Sequence, residues 1–287
     1  MEDIYFHLPG LFENFSFYEC FLSLYTNERE KFHDWAQIGS IYGAPREAFW
    51  NGGRLKDFQS PFEDMVAAFA LYYNISCRFT FSNPHITDEY LYDSFCNMLL
   101  KKFNWEGHKN TVIVNSPILE EYIRHKYPTY SIVSSTTKCI TDNNKAIEEV
   151  DKDYLMTVLD YNYNKNLEFL KEIKNKEKVE LLINPVCMPN CSRRSKHYDL
   201  IGRLILHMPI DENIDCPCET FLFYKAMQSP LFISIDDIQN IYAPLGFKNF
   251  KIEGRTATPS DLIEILTYYM VKPEYQLEIR QTLIHNI

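Results

Sequence analysis

The sequence predicts a closed (β/α)8 barrel of the TIM type with an extra helical segment at its N-terminus. Two observations carry this. Short apolar runs, each ending in a small polar residue, alternate with amphipathic stretches along the whole chain, which is the pattern of a parallel sheet covered by helices. Eight such units also fit into roughly 250 residues, the usual size of this barrel. An open doubly wound sheet is the competing arrangement, but no G-x-G-x-x-G turn follows any strand, so no Rossmann cofactor is indicated.

Leu11 to Lys31 comes first. Phe12, Phe15, Tyr18, Phe21, Leu22 and Tyr25 recur at helical spacing, so a helix packed on the main body is expected, with 1–32 as an extension and 33–287 as the barrel. The first strand is expected in Asp34 to Gly43, followed by the small-residue stretch Trp50 to Arg54 (WNGGR) and a helix from Phe58 to Tyr73. Further strands are expected at Arg78–Phe81, Thr111–Val114, Tyr130–Val133, Leu155–Leu159, Val179–Ile183, Leu231–Ile235 and Phe247–Ile252, with a helix after each. Thr258-Pro259-Ser260 reads as the start signal of the last long helix, which runs to Met270.

Composition narrows the function. A formal charge of −10 and a pI near 5.3 exclude a general binder of nucleic acid or anionic membrane, which would concentrate Lys and Arg on one face. The opening MEDIYFHLPG has neither a basic n-region nor an apolar h-region, and no run approaches the ~18 apolar residues of a membrane span. A cytoplasmic protein is expected. Its eight cysteines are then read as thiols rather than disulfides, with Cys20, Cys77, Cys96 and Cys139 as core residues.

The other four are grouped. Cys187 and Cys191 follow the Val179–Ile183 run and the stop signal Asn184-Pro185, and Cys216-Pro217-Cys218 comes later. Cys-x3-Cys with Cys-x-Cys in a reducing compartment suits a four-thiolate metal or iron–sulfur site, since thiolates are soft ligands. The alternative is four packed thiols, because Cys is often buried. A radical-SAM triplet is excluded, because Arg194 stands where its third ligand would fall.

In a barrel the strand C-terminal ends converge on one mouth, where active sites of this fold lie. Asn83, Asn115, Ser134, Ser135, Asp160, Asn162, Asn184, Cys187, Asp236, Lys251, Glu253 and Arg255 would ring it. Asp160, Lys251 and Glu253 are the candidate catalytic groups. Asn83, Asn115, Ser135, Asn184 and Arg255 are the candidate ligand contacts, although Asn and Ser at such positions more often cap helices. Lys251, Glu253 and Arg255 alternate on one strand end, where charges are costly unless paired. Either they pair with one another or they receive a small anionic organic ligand.

These residues resemble a known family. FKIEGR (Phe250–Arg255), QIGSIYG with Arg54, FTFSNPHITDEYL, VIVNSPILEEYI and ELLINPVCMPNC are similar to segments of the collagenase-like peptidases and their iron–sulfur hydroxylase relatives, which act in RNA modification and oxygen-independent ubiquinone synthesis. The family opens on its first strand with Pro-Ala-Gly, and its paired cysteines are farther apart than here. The resemblance implies a [4Fe–4S] cluster on Cys187, Cys191, Cys216 and Cys218, and a redox or hydroxylating enzyme with an anionic guest near Lys251, Glu253 and Arg255. Zinc on the same thiols, in a peptidase, hydrolase or binding protein, is the alternative. No His-Glu-x-x-His occurs, and no Ser-His-Asp or Cys-His set can be placed at the mouth.

Overall fold

A computed structural model describes residues 2–55, 57–210 and 222–286. Eight parallel strands close into a barrel in chain order: β1 (Ile4–Pro9), β2 (Ala36–Gly43), β3 (Cys77–Phe79), β4 (Thr111–Val114), β5 (Ser131–Ser134), β6 (Met156–Val158), β7 (Val179–Leu182) and β8 (Asn249–Lys251). β1 pairs with β2 on one side and with β8 on the other.

This corrects the expected start. Residues 1–32 are not an extension: they carry the barrel's first strand and its first wall helix, α1 (Phe15–Asn27), which buries Phe15, Phe17, Tyr18, Phe21 and Leu22. In β1 the alternate residues Ile4, Phe6 and Leu8 are buried in the main core, and Phe6 meets the rings of Phe250 and Tyr269 at 6.4 and 5.8 Å. Burying each such ring contributes ~2 kcal/mol. His7, between them, turns its imidazole into the barrel.

The expected seventh strand is the second correction. Leu231–Ile235 is not a strand; Ile233 makes one ladder-like bond, its N–H to the Ile183 carbonyl at 2.8 Å, and Ser234 then caps a helical turn, α9 (Ile235–Asp237), that continues as a π-turn over Ile238–Tyr242. The run is apolar because Phe232 packs on Phe223, Tyr268 and Tyr269. Asp236 therefore begins a helix instead of ringing the mouth.

Most walls follow expectation: α2 (Glu63–Tyr72), α3 (Ser94–Lys102), α4 (Pro117–Lys126), α5 (Asn143–Asp151), α6 (Leu167–Glu172) and α10 (Pro259–Met270), with α11 (Gln276–Asn286) behind α10. Thr258 caps α10 by accepting the Asp261 N–H at 3.2 Å, with Pro259 at its first turn. The exception lies between β7 and β8. There α7 (Arg194–Ile205) is followed by α8 (Phe223–Met227), and the wall place is taken by the 235–242 turns, whose Tyr242 packs on Phe250. Inside the barrel an apolar ring of Tyr42, Ile113, Val133 and Val158 lies beneath the mouth. Among the described residues no helix is long and apolar enough to cross a membrane.

Candidate active site at the barrel mouth

The loop after β2 is built by five residues with separate tasks. The Trp50 indole N–H donates to the Tyr90 carbonyl at 2.7 Å, which anchors the loop in the wall. Asn51 Oδ1 accepts from Thr80 Oγ1, from an Arg255 Nη and from the Gly52 N–H, all at 2.8–2.9 Å. Gly52 is pressed against β3's continuation so closely that a Cβ would lie 2.5 Å from the Ser82 carbonyl, and Gly53 has φ +82°. Only glycine meets both demands. Arg54 then swings over the mouth.

Arg54 donates twice to Glu253 Oε1, from Nε at 3.0 Å and Nη2 at 2.5 Å, and the same Nη2 lies 3.4 Å from Cys187 Sγ. Glu253 Oε2 accepts the Val186 N–H at 3.0 Å. Asn184 brackets the Glu253 backbone, accepting its N–H at 2.7 Å and donating to its carbonyl at 2.9 Å, and so extends the β7–β8 ladder one step past Leu182 and Lys251. A thiol, a guanidinium and a carboxylate thus meet at one point.

The three charged residues of β8's end do not pair with one another. Glu253 holds Arg54. Arg255 is held by Asn51, by Thr80 Oγ1 at 2.9 Å, by the Gly52 carbonyl at 2.5 Å and by Glu13 at 3.5 Å, so it clamps the loop after β2. Lys251 turns inward: its Nζ lies 3.2 Å from Glu180 Oε1 and 3.5 Å from the centre of the Tyr42 ring. The pairing among themselves that the sequence offered as one alternative is not found; their partners come from other strands and from the loops after β1 and β2, which spacing along β8 does not reveal.

Below Lys251 lies a sealed polar layer. Glu180 is ion-paired to Arg78, and His7 sits beside it, with Nδ1 at 2.9 Å from Ser40 Oγ and Nε2 at 3.2 Å from Asn249 Oδ1. Burial brings His7 down to about 3, with Arg78's charge adding to the effect, so the imidazole is neutral. Burial also opposes ionisation of Glu180, but the surrounding positive charge outweighs it and holds the carboxyl below its usual range. Burial brings Lys251 down to about 8 against the attraction of Glu180. Ser40, His7 and Glu180 have the connectivity of a hydrolytic triad, yet each is at most 1 % exposed, and a nucleophile must reach its substrate.

The remaining expected residues hold structure together at the rim. Asp160 caps the turn Tyr161–Tyr163, accepting the Asn162 N–H at 3.0 Å, and pairs with Arg194. Ser135 accepts the Thr137 N–H at 3.2 Å, and Asn115 donates to Thr137 Oγ1 at 2.8 Å. Asn83 donates to the Phe49 and Gly202 carbonyls at 3.2 and 3.1 Å. Ser134 faces α5, donating to Glu149 at 2.5 Å.

Sequence reasoning missed what α7 contributes. Its buried stripe is Arg194, Tyr198, Ile201, Gly202 and Ile205. Arg194 reaches Asp160 at the end of β6 and Thr136 Oγ1 beyond β5 at 2.8 Å, donates from Nε to the Tyr198 hydroxyl at 3.1 Å, and stacks on Tyr161 at 4.1 Å. At the other end Gly202 meets Asn83 beyond β3, and His207 meets Phe49 in the loop after β2. The helix therefore crosses the mouth from one side to the other. An arginine opening a stripe at helical spacing was the available signal. Cys139 was also misplaced: it is a half-buried rim residue with φ +52°, pushed up to about 11 by burial against the pull of Arg194.

Of the four grouped cysteines, Cys187 is buried and Cys191 half-buried on the loop after β7, both as free thiols, while Cys216 and Cys218 lie outside the described residues. Burial raises the Cys187 thiol, and the Arg54 charge opposes this. Among the described residues no three His, Cys, Asp or Glu side chains are grouped to hold a metal.

No family model and no curated protein sequence matches the chain. Among solved structures, that of the U32 peptidase Mk0906 is similar, with a TM-score of 0.54 and 14 % identity over 88 % of this chain and 94 % of that one. The likeness is one of fold. It spans the barrel nearly from end to end, so this chain and that peptidase share an architecture whose mouth faces the same strand ends.

Proposed function

We propose that this chain is an enzyme of the collagenase-like peptidase kind that does redox chemistry at its barrel mouth, on a small anionic organic ligand, beside a cysteine-ligated [4Fe–4S] centre. The observation that carries the reading is the meeting of the Cys187 thiol, the Arg54 guanidinium and the Glu253 carboxylate at the strand C-terminal ends, where barrel enzymes place their chemistry. The fold likeness supports the family, and so does β1: Leu8-Pro9-Gly10 stands at the end of the first strand, in the place of the family's Pro-Ala-Gly.

Thiolates are the donors that an iron–sulfur centre takes, so Cys187 and Cys191 suit two of its corners; Cys216 and Cys218 are proposed for the others. When bound, the centre supplies one-electron chemistry. The chain's own part is to tune and to hold. The Arg54 N–H directed at Cys187 Sγ stabilises negative charge on the sulfur, which raises a reduction potential. Glu253 fixes that guanidinium with two bonds to one oxygen. Arg54 is also the cation nearest the thiol for an anionic guest, whereas Asp160 and Lys251 serve as partners to Arg194 and Glu180.

A zinc-holding hydrolase is the second reading, favoured in its hydrolytic part by the fold likeness to a U32 peptidase. The burial of Ser40 and His7 weighs against a serine mechanism. Purification without oxygen, with iron, sulfide and zinc measured, separates the two. Broad absorption near ~400 nm and loss of most iron in Cys187→Ala and Cys191→Ala, but not in Cys77→Ala, is the expected result. A wild-type protein with zinc alone, or with neither metal, overturns the iron–sulfur reading, as does full iron occupancy in Cys187→Ala.

A further inference from the structure

The mouth is largely closed off: Cys187, Asp160 and Arg255 are 5, 3 and 6 % exposed, and the Arg54 and Glu253 side chains 18 and 14 %. What closes it is α7. Twelve residues at 1.5 Å each span about 18 Å, enough to cross the mouth, and the contacts of α7 lie beyond β5 and β6 at one end and beyond β2 and β3 at the other. A wall helix runs outside the barrel against its own strand. This one lies on top.

Its apolar anchors are no fewer than those of α4 (Leu119, Ile123) or α6 (Phe169, Leu170), but they stand outside the main core that those helices join. α10 buries Leu262, Ile263, Ile265, Leu266, Tyr269 and Met270, whereas the apolar anchors of α7 are Tyr198, Ile201 and Ile205. Polar contacts grip it near both ends, the Arg194–Asp160 ion pair and the Asn83 bond to the Gly202 carbonyl, and mid-helix Asp199 pairs with His85 at 2.8 Å. Just outside those ends, Asn190 and His207 hold φ of +51° and +54°. Asn and His are among the residue types that enter that region most readily, and there they make sharp turns, so the helix is slung between two of them.

We propose that α7 is a lid over the mouth, opening about its two end turns to admit the ligand, and that the Arg194–Asp160 pair is its latch. Segments that stand outside the main core open locally at lower free energy than the whole molecule. In the closed state, the underside residues Arg194 and Tyr198 face the ends of the strands and complete the site. The proposal rests on the mouth as the ligand site; a metal on Cys191, one residue past the Asn190 turn, would tether that end of the helix, so wild type and variant are compared at the same metal content.

Native-state hydrogen exchange, read by mass spectrometry on a preparation of known iron and zinc content, tests it. In the wild-type protein, amides of 194–205 should exchange at least about tenfold faster than those of 259–270. Arg194→Gln should accelerate 194–205 by a further factor of about ten while leaving 259–270 unchanged. Equal protection of the two helices in the wild type makes α7 a fixed wall and overturns the lid. Acceleration of both helices together in Arg194→Gln makes the pair a support of global stability and overturns the latch. The wild-type comparison needs no variant to fold, and metal content is read separately, so a failed lid and a failed iron–sulfur reading give different results.

Discussion

A lysine ammonium held between the Tyr42 ring and the Glu180 carboxylate, inside a barrel, has a measurable cost. Free lysine titrates near 10.5 and Lys251 near 8. Between those values the unfolded chain binds more protons than the folded one, so raising the pH through this window favours folding, by up to about 3 kcal/mol. Below it both forms are charged and the full desolvation cost is present. Subtracting the unfolding free energy of Lys251→Met from that of the wild type isolates the effect from other titrating groups. That difference should move by about 3 kcal/mol in favour of the wild type between about pH 7.5 and about pH 10.5. A flat difference would place Lys251 in water. At this scale the sequence was partly legible. Alternation along β8 put Lys251, Glu253 and Arg255 on one face, because side chains two apart share a face, and left open whether that face is the interior or the helix side. It did not reveal Arg54, Glu180 and Asn51 as their partners, since these are set by strand register across the barrel and by the shape of one glycine-containing loop.

At the scale of elements, Gly202 shows how a local rule is reversed by a neighbour. Alanine inside a helix is ordinarily more stable than glycine by about 1 kcal/mol. At position 202 the added Cβ would lie 2.7 Å from Asn83 Oδ1 and 3.0 Å from both Pro84 and His85, and Asn83 cannot retreat while it holds the Phe49 and Gly202 carbonyls. Gly202→Ala should therefore lose about 1 kcal/mol net, read from the urea midpoint; a gain would mean that α7 does not rest on Asn83. The long amphipathic helices were legible, with α4 and α10 within one or two residues of expectation. Two short apolar runs were not. Ile4–Pro9 was passed over because its inward residue is a polar histidine and an aromatic helix follows at once. Leu231–Ile235 was taken for a strand because a buried apolar run of that length has no period of its own.

For the whole molecule, those two errors cancelled in the count of eight units while misplacing the barrel's seam. If β1 is a stave of the barrel, deleting residues 2–9 should abolish cooperative unfolding as followed by far-UV circular dichroism; a truncated chain that still melts in one sharp transition would return 1–32 to the status of an extension. The seam also governs when the barrel can form. His7 bonds Asn249 across 242 positions of sequence, a pairing of the first strand with the last, and loop closure of that span comes late in folding. During synthesis the first strand emerges from the ribosome long before its partner exists, with one edge open and Phe6 and Leu8 not yet covered from the β8 side. Closure waits for Asn249–Lys251, so β1 gains its second neighbour only once that stretch has been made, and a chain stalled before that point keeps an unpaired β1 edge that chaperones would recognise.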